Sequence, residues 1–367
     1  MGVGARAVED VVTVRRAAWD GRPVLVTGHT GFKGGWLAFW LAQMGARVTG
    51  YALAPAAQRS FFALSELGRL IRDRRGDVRD VEATREAVHE AAPEVVFHLA
   101  AQPLVRESYR TPVETYATNV IGTASVLNAC RSCPSVRAIV VVTSDKCYDN
   151  RESDRAYVET DALGGHDPYS NSKACAELVC DAFRRSYFGL RTPVVGLATA
   201  RAGNVIGGGD WSDDRLLPDL VRAAAEGRET VVRNPTATRP WQHVLDPLHG
   251  YLLLAERLLD APQVVAGAWN FGPDPGGDVP VSEIVARVAR QWPDRVRWRT
   301  DTAAHPHEAG RLMLDSRKAR RNLAWRPRLS LDDGLRLSLE WYGHALAGDA
   351  DLAAVTARQI TYYVSLA

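Results

Sequence analysis

Between Pro23 and Gly35 the chain reads PVLVTGHTGFKGG, and this stretch restricts the fold more than any other. Its first residues are apolar without polar alternation, as in a strand whose two faces are both covered. Glycines then recur at positions 28, 31 and 34, a GxxGxxG spacing, before helical periodicity over 35–44 ends at Gly45. Glycine lets backbone N–H groups approach a pyrophosphate, and a helix start adds the positive end of its dipole. A glycine-rich turn alone says little. Strand, turn and helix in that order predict a dinucleotide loop, with Gly28, Thr30, Gly31, Phe32, Lys33 and Gly34 at the cofactor.

The alternation continues along the chain. Apolar runs at 47–51, 95–99 and 138–142 are separated by helix-like stretches, among them 112–130. Such a pattern implies an α/β fold, a Rossmann-type doubly wound parallel sheet with helices on both faces. After about residue 201 the texture shifts to Gly- and Pro-rich loops with short helices. This reads as a smaller C-terminal α/β substrate-binding region, interleaved with the last strands of the sheet. The expected division is a loose lead-in at 1–20, a mainly dinucleotide-binding unit at 21–200, a mainly substrate-binding region at 201–345 and a tail at 346–367.

Bulk properties narrow the function. A formal net charge of +2, with Lys and Arg scattered among acids, argues against nucleic acid as a partner. No run approaches the ~18 apolar residues of a membrane span, and the N-terminus has no signal-like apolar core. Five cysteines include one CxxC (Cys130, Cys133) without a second pair, so reduced thiols, a cytoplasmic setting and no metal are expected. His305 and His307 read as loop histidines, and Asp246 as structural. Between 35 and 65 there is no carboxylate to hold a ribose; Arg47 and Arg59 are the charged residues there. An acid there would favour NAD and an arginine NADP, so these residues leave the choice open. Asp77 is placed to accept a hydrogen bond from an adenine amino group.

A second signal lies at Tyr169-Ser170-Asn171-Ser172-Lys173, a YxxxK that opens a helix after Asp167-Pro168. The spacing puts Lys173 one turn beyond Tyr169 on one face. An ammonium there can lower the phenol's pKa and hold a nicotinamide ribose, leaving Tyr169 to take a proton from a substrate hydroxyl. Ser144, at the end of the 138–142 run, can hydrogen-bond that hydroxyl. The acid–base pair Asp145-Lys146 follows it directly, where a solvated turn would have no need of either.

These features together resemble the extended short-chain dehydrogenases/reductases, and most closely the CDP-glucose 4,6-dehydratases. The resemblance rests on VTGHTGFKG (26–34), HLAAQPLV (98–105), TSDKCYDNRE (143–152), GGHDPYSNSKACAE (164–177), RAGNVIGGGDW (201–211), DRLLPD (214–219), RNPTATRPWQHVLDPLHGYL (233–252), NFGP (270–273) and HEAGRLMLD (307–315). It implies C4 oxidation of a nucleotide-linked glucose, loss of water across C5 and C6, and hydride return to C6. The dTDP-glucose enzymes carry Asp-Glu after Ser/Thr and the CDP-glucose enzymes Asp-Lys, as here. Asp145 is thus the candidate acid, and Lys146 the candidate base or the electrostatic partner of the enolate.

The resemblance also implies NAD, with NADP not excluded, and cofactor contacts from Val78, Leu99, Ala100, Ala101 and Asn119, beside those from Tyr169 and Lys173. For substrate it implies Gln102, Arg201, Asn204, Arg215, Leu216, Arg233, Arg239, His243, Asn270 and Glu308. It implies a homodimer through the helices at 112–130 and 168–188. One segment departs from the pattern: 151–159 reads RESDRAYVE, where relatives have an aromatic pair. That leaves open a nucleotide sugar other than CDP-glucose. Two rival readings are a nucleotide-sugar 4-epimerase, which has no use for an elimination pair, and a dinucleotide sensor, which has no use for Ser144, Tyr169 and Lys173.

Overall fold

The computed structural model describes residues 14–55, 59–274, 277–293, 295–301, 303, 309–348 and 351–366. Among these, twelve strands run in chain order as β1 (Pro23–Thr27), β2 (Arg47–Ala52), β3 (Arg72–Arg75), β4 (Val95–His98), β5 (Ala138–Val142), β6 (Gly196–Ala202), β7 (Asn204–Ile206), β8 (Glu229–Val232), β9 (Thr238–His243), β10 (Gly267–Phe271), β11 (Asp278–Pro280) and β12 (Arg297–Thr300). Seven form one parallel sheet in the order β10-β6-β5-β4-β1-β2-β3. This is the doubly wound Rossmann-type sheet the strand–helix alternation predicts.

The unalternating strand sequences follow from the two cores. Val24, Val26, Val95, Phe97 and Val140 point into one apolar layer, and Leu25, Val96, Ile139 and Val141 into the other. Successive side chains leave a strand on opposite faces, so a strand covered on both sides has no place for polar residues. The sheet order reverses between β1 and β4, which leaves a crevice at their carboxyl ends. The glycine loop after Thr27 and the turn after His98 border that crevice.

Beyond β6 the chain builds a smaller layer. Strand β9 pairs in parallel with β7 and antiparallel with β11, while β8 pairs with β12. The region does not leave the main sheet behind, because β10 returns to pair with β6.

Three local expectations need revision. The described part of the lead-in, residues 14–20, is anchored: Trp19 is fully buried, and its indole N–H donates to Glu256 Oε1 at 2.8 Å. The tail forms the helix Leu352–Ser365, which buries Val355, Ile360 and Tyr363. The helical stretch at 112–130 is broken into Pro112–Tyr116, a π turn at Ala117–Ile121, and Gly122–Ser132. The extra residue of a π turn displaces a side chain from the surface, and here it accompanies the burial of Asn119.

Candidate active site

The helix Phe32–Gln43 starts bare. Its N-cap is Gly31, no side chain caps it, and no acid occupies its first turn. Free N–H groups and an uncompensated dipole suit a pyrophosphate. The two flanking glycines are required by close backbone approach. Gly28 has φ +77°, and a Cβ there would lie 2.6 Å from Ala100 N. A Cβ on Gly34 would lie 2.2 Å from Gly28 O. Gly31 is different: it is exposed, and a Cβ would meet just Gly28 O at 3.3 Å. The loop is therefore packed from below and open above, as an NAD-binding loop needs.

A chain of buried hydrogen bonds ties this loop to the YxxxK helix. Thr27 Oγ1 accepts from the N–H of Leu99 and of Ala100, both at 3.2 Å, and bonds His98 Nδ1 at 2.7 Å. His98 Nε2 bonds Thr123 Oγ1 at 3.1 Å, and Thr123 donates to Asn119 O at 2.7 Å. All these contacts are satisfied by a neutral His98 protonated on Nε2, and burial lowers its pKa to about 3. Asn119 accepts from Gln102 N and donates to Gln102 O and Ser172 Oγ, and Ser172 donates to Tyr169 O at 2.7 Å. Thus Asn119 braces the site from underneath. His98, Thr27 and Thr123 were not singled out as site residues, although HLAA was part of the resemblance.

The helix Pro168–Ser186 is capped by Asp167 and carries Tyr169 and Lys173 into the crevice, both largely buried. Lys173 Nζ donates to Val142 O at 3.3 Å, and burial lowers its pKa to about 8, with Glu177 opposing. Burial pushes the Tyr169 phenol up to about 12, while Ser144 and Arg215 lower it. After β5, Ser144 caps a short turn, Asp145–Cys147. Ser144 Oγ donates to Asp145 Oδ1 at 3.0 Å and accepts from Lys146 N at 3.2 Å. Lys146 Nζ stands 3.7 Å from Asp145 Oδ1. Asp145 is 1% exposed, and its Oδ2 is buried without a hydrogen-bond partner. A turn in solvent would look nothing like this.

One cavity of about 630 Å³ is lined by Lys33, Ser144, Asp145, Lys146, Tyr169 and Asn204. Its lining also includes Arg215, Leu216, Arg233, Arg239 and residues of β8. The size suits a small-molecule site. Arg215 pairs with Asp210 at 2.7 Å, and Arg233 with Asp214 at 2.6 Å. Arg106, which sequence reasoning passed over, reaches the same Asp214 oxygen at 3.3 Å across the cavity mouth. Arg239 donates to the carbonyls of Thr238, Ala309 and Gly310.

Four predicted substrate contacts lie elsewhere. Arg201 is 3% exposed and grips Glu177 through Nε (2.9 Å) and Nη2 (2.7 Å), while Nη1 donates to Tyr148 Oη (2.8 Å). Thr143 and Thr199 complete the shell of Glu177. Asn270 is fully buried, accepting from Tyr148 and donating to the carbonyls of Tyr157 and Asp315. His243 is buried edge-on against Trp36. Gln102 uses its amide on Leu104 in its own loop and on Thr115 of the helix Pro112–Tyr116. All four are floor or scaffold, because their polar atoms are already engaged or turned away from the cavity. The residue missed was Glu177, one turn past Lys173 on the same helix, whose carboxylate holds Arg201. Glu308, His305 and His307 lie outside the described residues.

At the adenosine side, Asp77 receives Arg79 on both carboxylate oxygens, and Val78 is packed in the core. Arg47 sits at the start of β2, away from the loop, bonded to Gly21 O. The cation near the end of β2 is instead Arg75, which donates to Leu53 O at 3.1 Å and pairs with Asp73. His29, buried beneath β2, bonds the other oxygen of Asp73 at 2.8 Å.

Residues 24–268 match the model of the NAD dependent epimerase/dehydratase family. The chain belongs to that family. It is 47% identical over 350 residues to the CDP-glucose 4,6-dehydratase of Salmonella typhimurium, covering 95% of this chain and 97% of that one. It is 26% identical to the UDP-glucose 4-epimerase of Rhizobium leguminosarum, over 88% of this chain and 98% of that one. In fold it is similar to the dTDP-glucose 4,6-dehydratase of Bacillus anthracis in complex with NAD, with a TM-score of 0.72, 21% identity, and coverage of 88% and 96%. NAD is the family's cofactor, and the bare helix start and open glycine loop fit it.

Proposed function

We propose that this protein is a 4,6-dehydratase of CDP-glucose, releasing CDP-4-keto-6-deoxyglucose and water. The observation that carries the reading is Asp145: a buried carboxyl with one oxygen tied to Ser144 and the other unpartnered, in the same cavity as Tyr169. An epimerase needs no such acid. The similarity to the Salmonella enzyme supports CDP-glucose in particular.

NAD would supply the hydride acceptor at C4 and return that hydride to C6. Gly28, Thr30, Gly31, Phe32 and Gly34 would hold its pyrophosphate, and Lys173 its nicotinamide ribose. Tyr169, steadied by Ser144, takes the proton of the 4-hydroxyl. The 4-ketone then acidifies C5–H, and Asp145 protonates the departing 6-hydroxyl. Lys146, close to Asp145 Oδ1, holds positive charge where the enolate forms. Arg215, Arg233 and Arg239 offer the diphosphate its guanidinium contacts.

The same reading includes a cytoplasmic homodimer. Val113, Ile121 and Leu178 are 74%, 53% and 58% exposed on the helices 112–132 and 168–186, an apolar set that a second copy would cover. Light scattering on wild type and Ile121→Glu tests this; a wild-type monomer would remove it. Catalysis is tested by incubating the protein and NAD with CDP-, dTDP-, GDP- and UDP-glucose and following loss of one water by mass. Loss with CDP-glucose above the others is expected. No loss with any of them would remove the dehydratase reading, and a product of unchanged mass would favour an epimerase.

A further inference from the structure

Arg106 lines the cavity on the segment that follows β4, where the chain borders the crevice. Its backbone is pinned on both sides. Gln102 bonds both the N–H and the carbonyl of Leu104, at 2.6 and 3.1 Å. Ser108 Oγ donates to Val105 O at 2.6 Å and accepts from Tyr169 N at 3.0 Å. The segment carrying Arg106 is thereby stitched to the start of the helix Pro168–Ser186, which gives the guanidinium a fixed origin near Tyr169.

The guanidinium itself is held lightly. Among the described residues Arg106 makes one hydrogen bond, from Nη1 to Asp214 Oδ1 at 3.3 Å. Arg233 donates to the same oxygen at 2.6 Å and, from Nη2, to the carbonyl of Asp214 at 3.4 Å. All three side chains are about a quarter exposed. Two cations on one carboxylate leave one positive charge uncompensated, and a guanidinium has five N–H donors, of which Arg106 uses one. A bridge that merely tied this segment to the Asp214 loop would need one cation for one anion. Other arginines of the cavity are more committed, Arg215 to buried Asp210 and Arg239 to three carbonyls. A part-exposed ion pair holds its members weakly, so a ligand of higher negative charge can displace Asp214.

We propose that Arg106 is a substrate-binding residue, whose guanidinium exchanges Asp214 for the diphosphate of the nucleotide sugar and holds that group together with Arg233. The inference rests on the nucleotide-sugar reading of the cavity. The planar fork of an arginine suits two phosphate oxygens at once. Asp214 is the anion that the diphosphate replaces. Because the Arg106 segment is bonded to the N–H of Tyr169, the contact also ties diphosphate binding to the helix that carries the phenol.

The test is calorimetry of CDP on the NAD-loaded full chain, comparing wild type, Arg106→Met and Arg106→Lys. Arg106→Met should weaken CDP about 10–100-fold, the contribution of a hydrogen bond to a charged group. Arg106→Lys should lie between the two, since it keeps the charge and loses the fork. Cytidine, which has no phosphate, should bind wild type and Arg106→Met alike when competed against CDP. Arg106→Met that binds CDP within twofold of wild type would overturn the inference. So would an equal loss for cytidine, the sign of a distorted cavity instead of a missing phosphate contact. UDP, dTDP and GDP are titrated into wild type beside CDP, and the variants are compared with whichever binds most tightly. If wild type binds none of the four, the nucleotide-sugar reading falls and takes the inference with it. If wild type binds one of them and Arg106→Met binds it equally well, the inference alone falls.

Discussion

Removing the charge of Glu177 should destabilise the protein out of proportion to a one-atom change. In Glu177→Gln the volume is kept, but the guanidinium of Arg201 stays behind in a site 3% exposed. Of the Nε contact to Oε1 and the Nη2 contact to Oε2, one then faces an amide NH₂ and is lost, and the other keeps only a neutral acceptor. The remaining Arg201 partners are neutral, Tyr148 Oη and Glu159 O. Breaking a buried pair by removing one member costs about 3–5 kcal/mol, because the survivor is an uncompensated buried charge. For 367 residues the unfolding entropy is about 0.8 kcal/mol/K, scaled from ~2.1 cal/mol/K per residue. The melting temperature should therefore fall by about 4–6 °C.

Thermal unfolding of Glu177→Gln, Arg201→Met and the double variant checks this. The double variant should be more stable than the sum of the singles predicts, since it leaves neither charge behind. A Glu177→Gln protein within about 1 kcal/mol of wild type, or strictly additive singles, would refute the argument. The loss also reaches the chemistry. Glu177 is the group that raises the Lys173 pKa against burial, so without it Lys173 should titrate still lower and activity should fall off earlier as pH rises.

Three further outcomes follow from the packing. Asp246 is fully buried and its carboxyl is raised from 3.8 to about 7; across that window the unfolded chain has lost a proton the native one keeps, so stability falls as pH rises, by up to about 1.4 kcal/mol per pH unit. Asp246→Asn should flatten that slope in denaturant melts taken between pH 5 and 8, and an unchanged slope would mean the proton is held elsewhere. Gly28→Ala combines φ +77° with a Cβ 2.6 Å from Ala100 N, whereas Gly21→Ala at φ +68° meets nothing within 4 Å. Gly28→Ala should abolish NAD binding by calorimetry, with Gly21→Ala costing about 1 kcal/mol of stability and no affinity. Asp214→Asn keeps a left-handed backbone (φ +61°) that Asn tolerates and frees Arg233 and Arg106; CDP should bind up to about fivefold tighter, equivalent to the ~1 kcal/mol of such a pair, and weaker binding would place Asp214 among the ligand's own contacts.

How far the sequence can be read depends on whether a property is local. The buried parallel strands, the glycine loop and the YxxxK helix are legible because each is written in a few consecutive residues: unalternating β1 and β5, glycines three apart, and a capped helix behind Asp167-Pro168. Arg201, Asn270 and His243 were misplaced because a polar residue at the end of a strand looks the same whether it faces a ligand or a buried partner. The partner of Arg201 lies 24 positions away, and no spacing announces it. The same holds for the lead-in, where Trp19 finds Glu256 across 237 positions, and for the π turn, which leaves the helical periodicity of 112–130 nearly intact.

The three lysines of the site make the same point about chemistry. By position alone, Lys146 beside an acid looks like the base, Lys33 in a glycine loop looks like a phosphate ligand, and Lys173 looks like a phenol's partner. Their surroundings sort them differently. Lys146 has Asp145 Oδ1 at 3.7 Å and is about a quarter exposed to water. Lys173 is buried but has Glu177 one turn away, which keeps it a cation at neutrality. Lys33 opens the bare helix, with Arg215, Lys173 and Lys146 opposing its charge and Asp145 favouring it. What distinguishes them is the number and sign of the charges within reach, a quantity fixed by the fold.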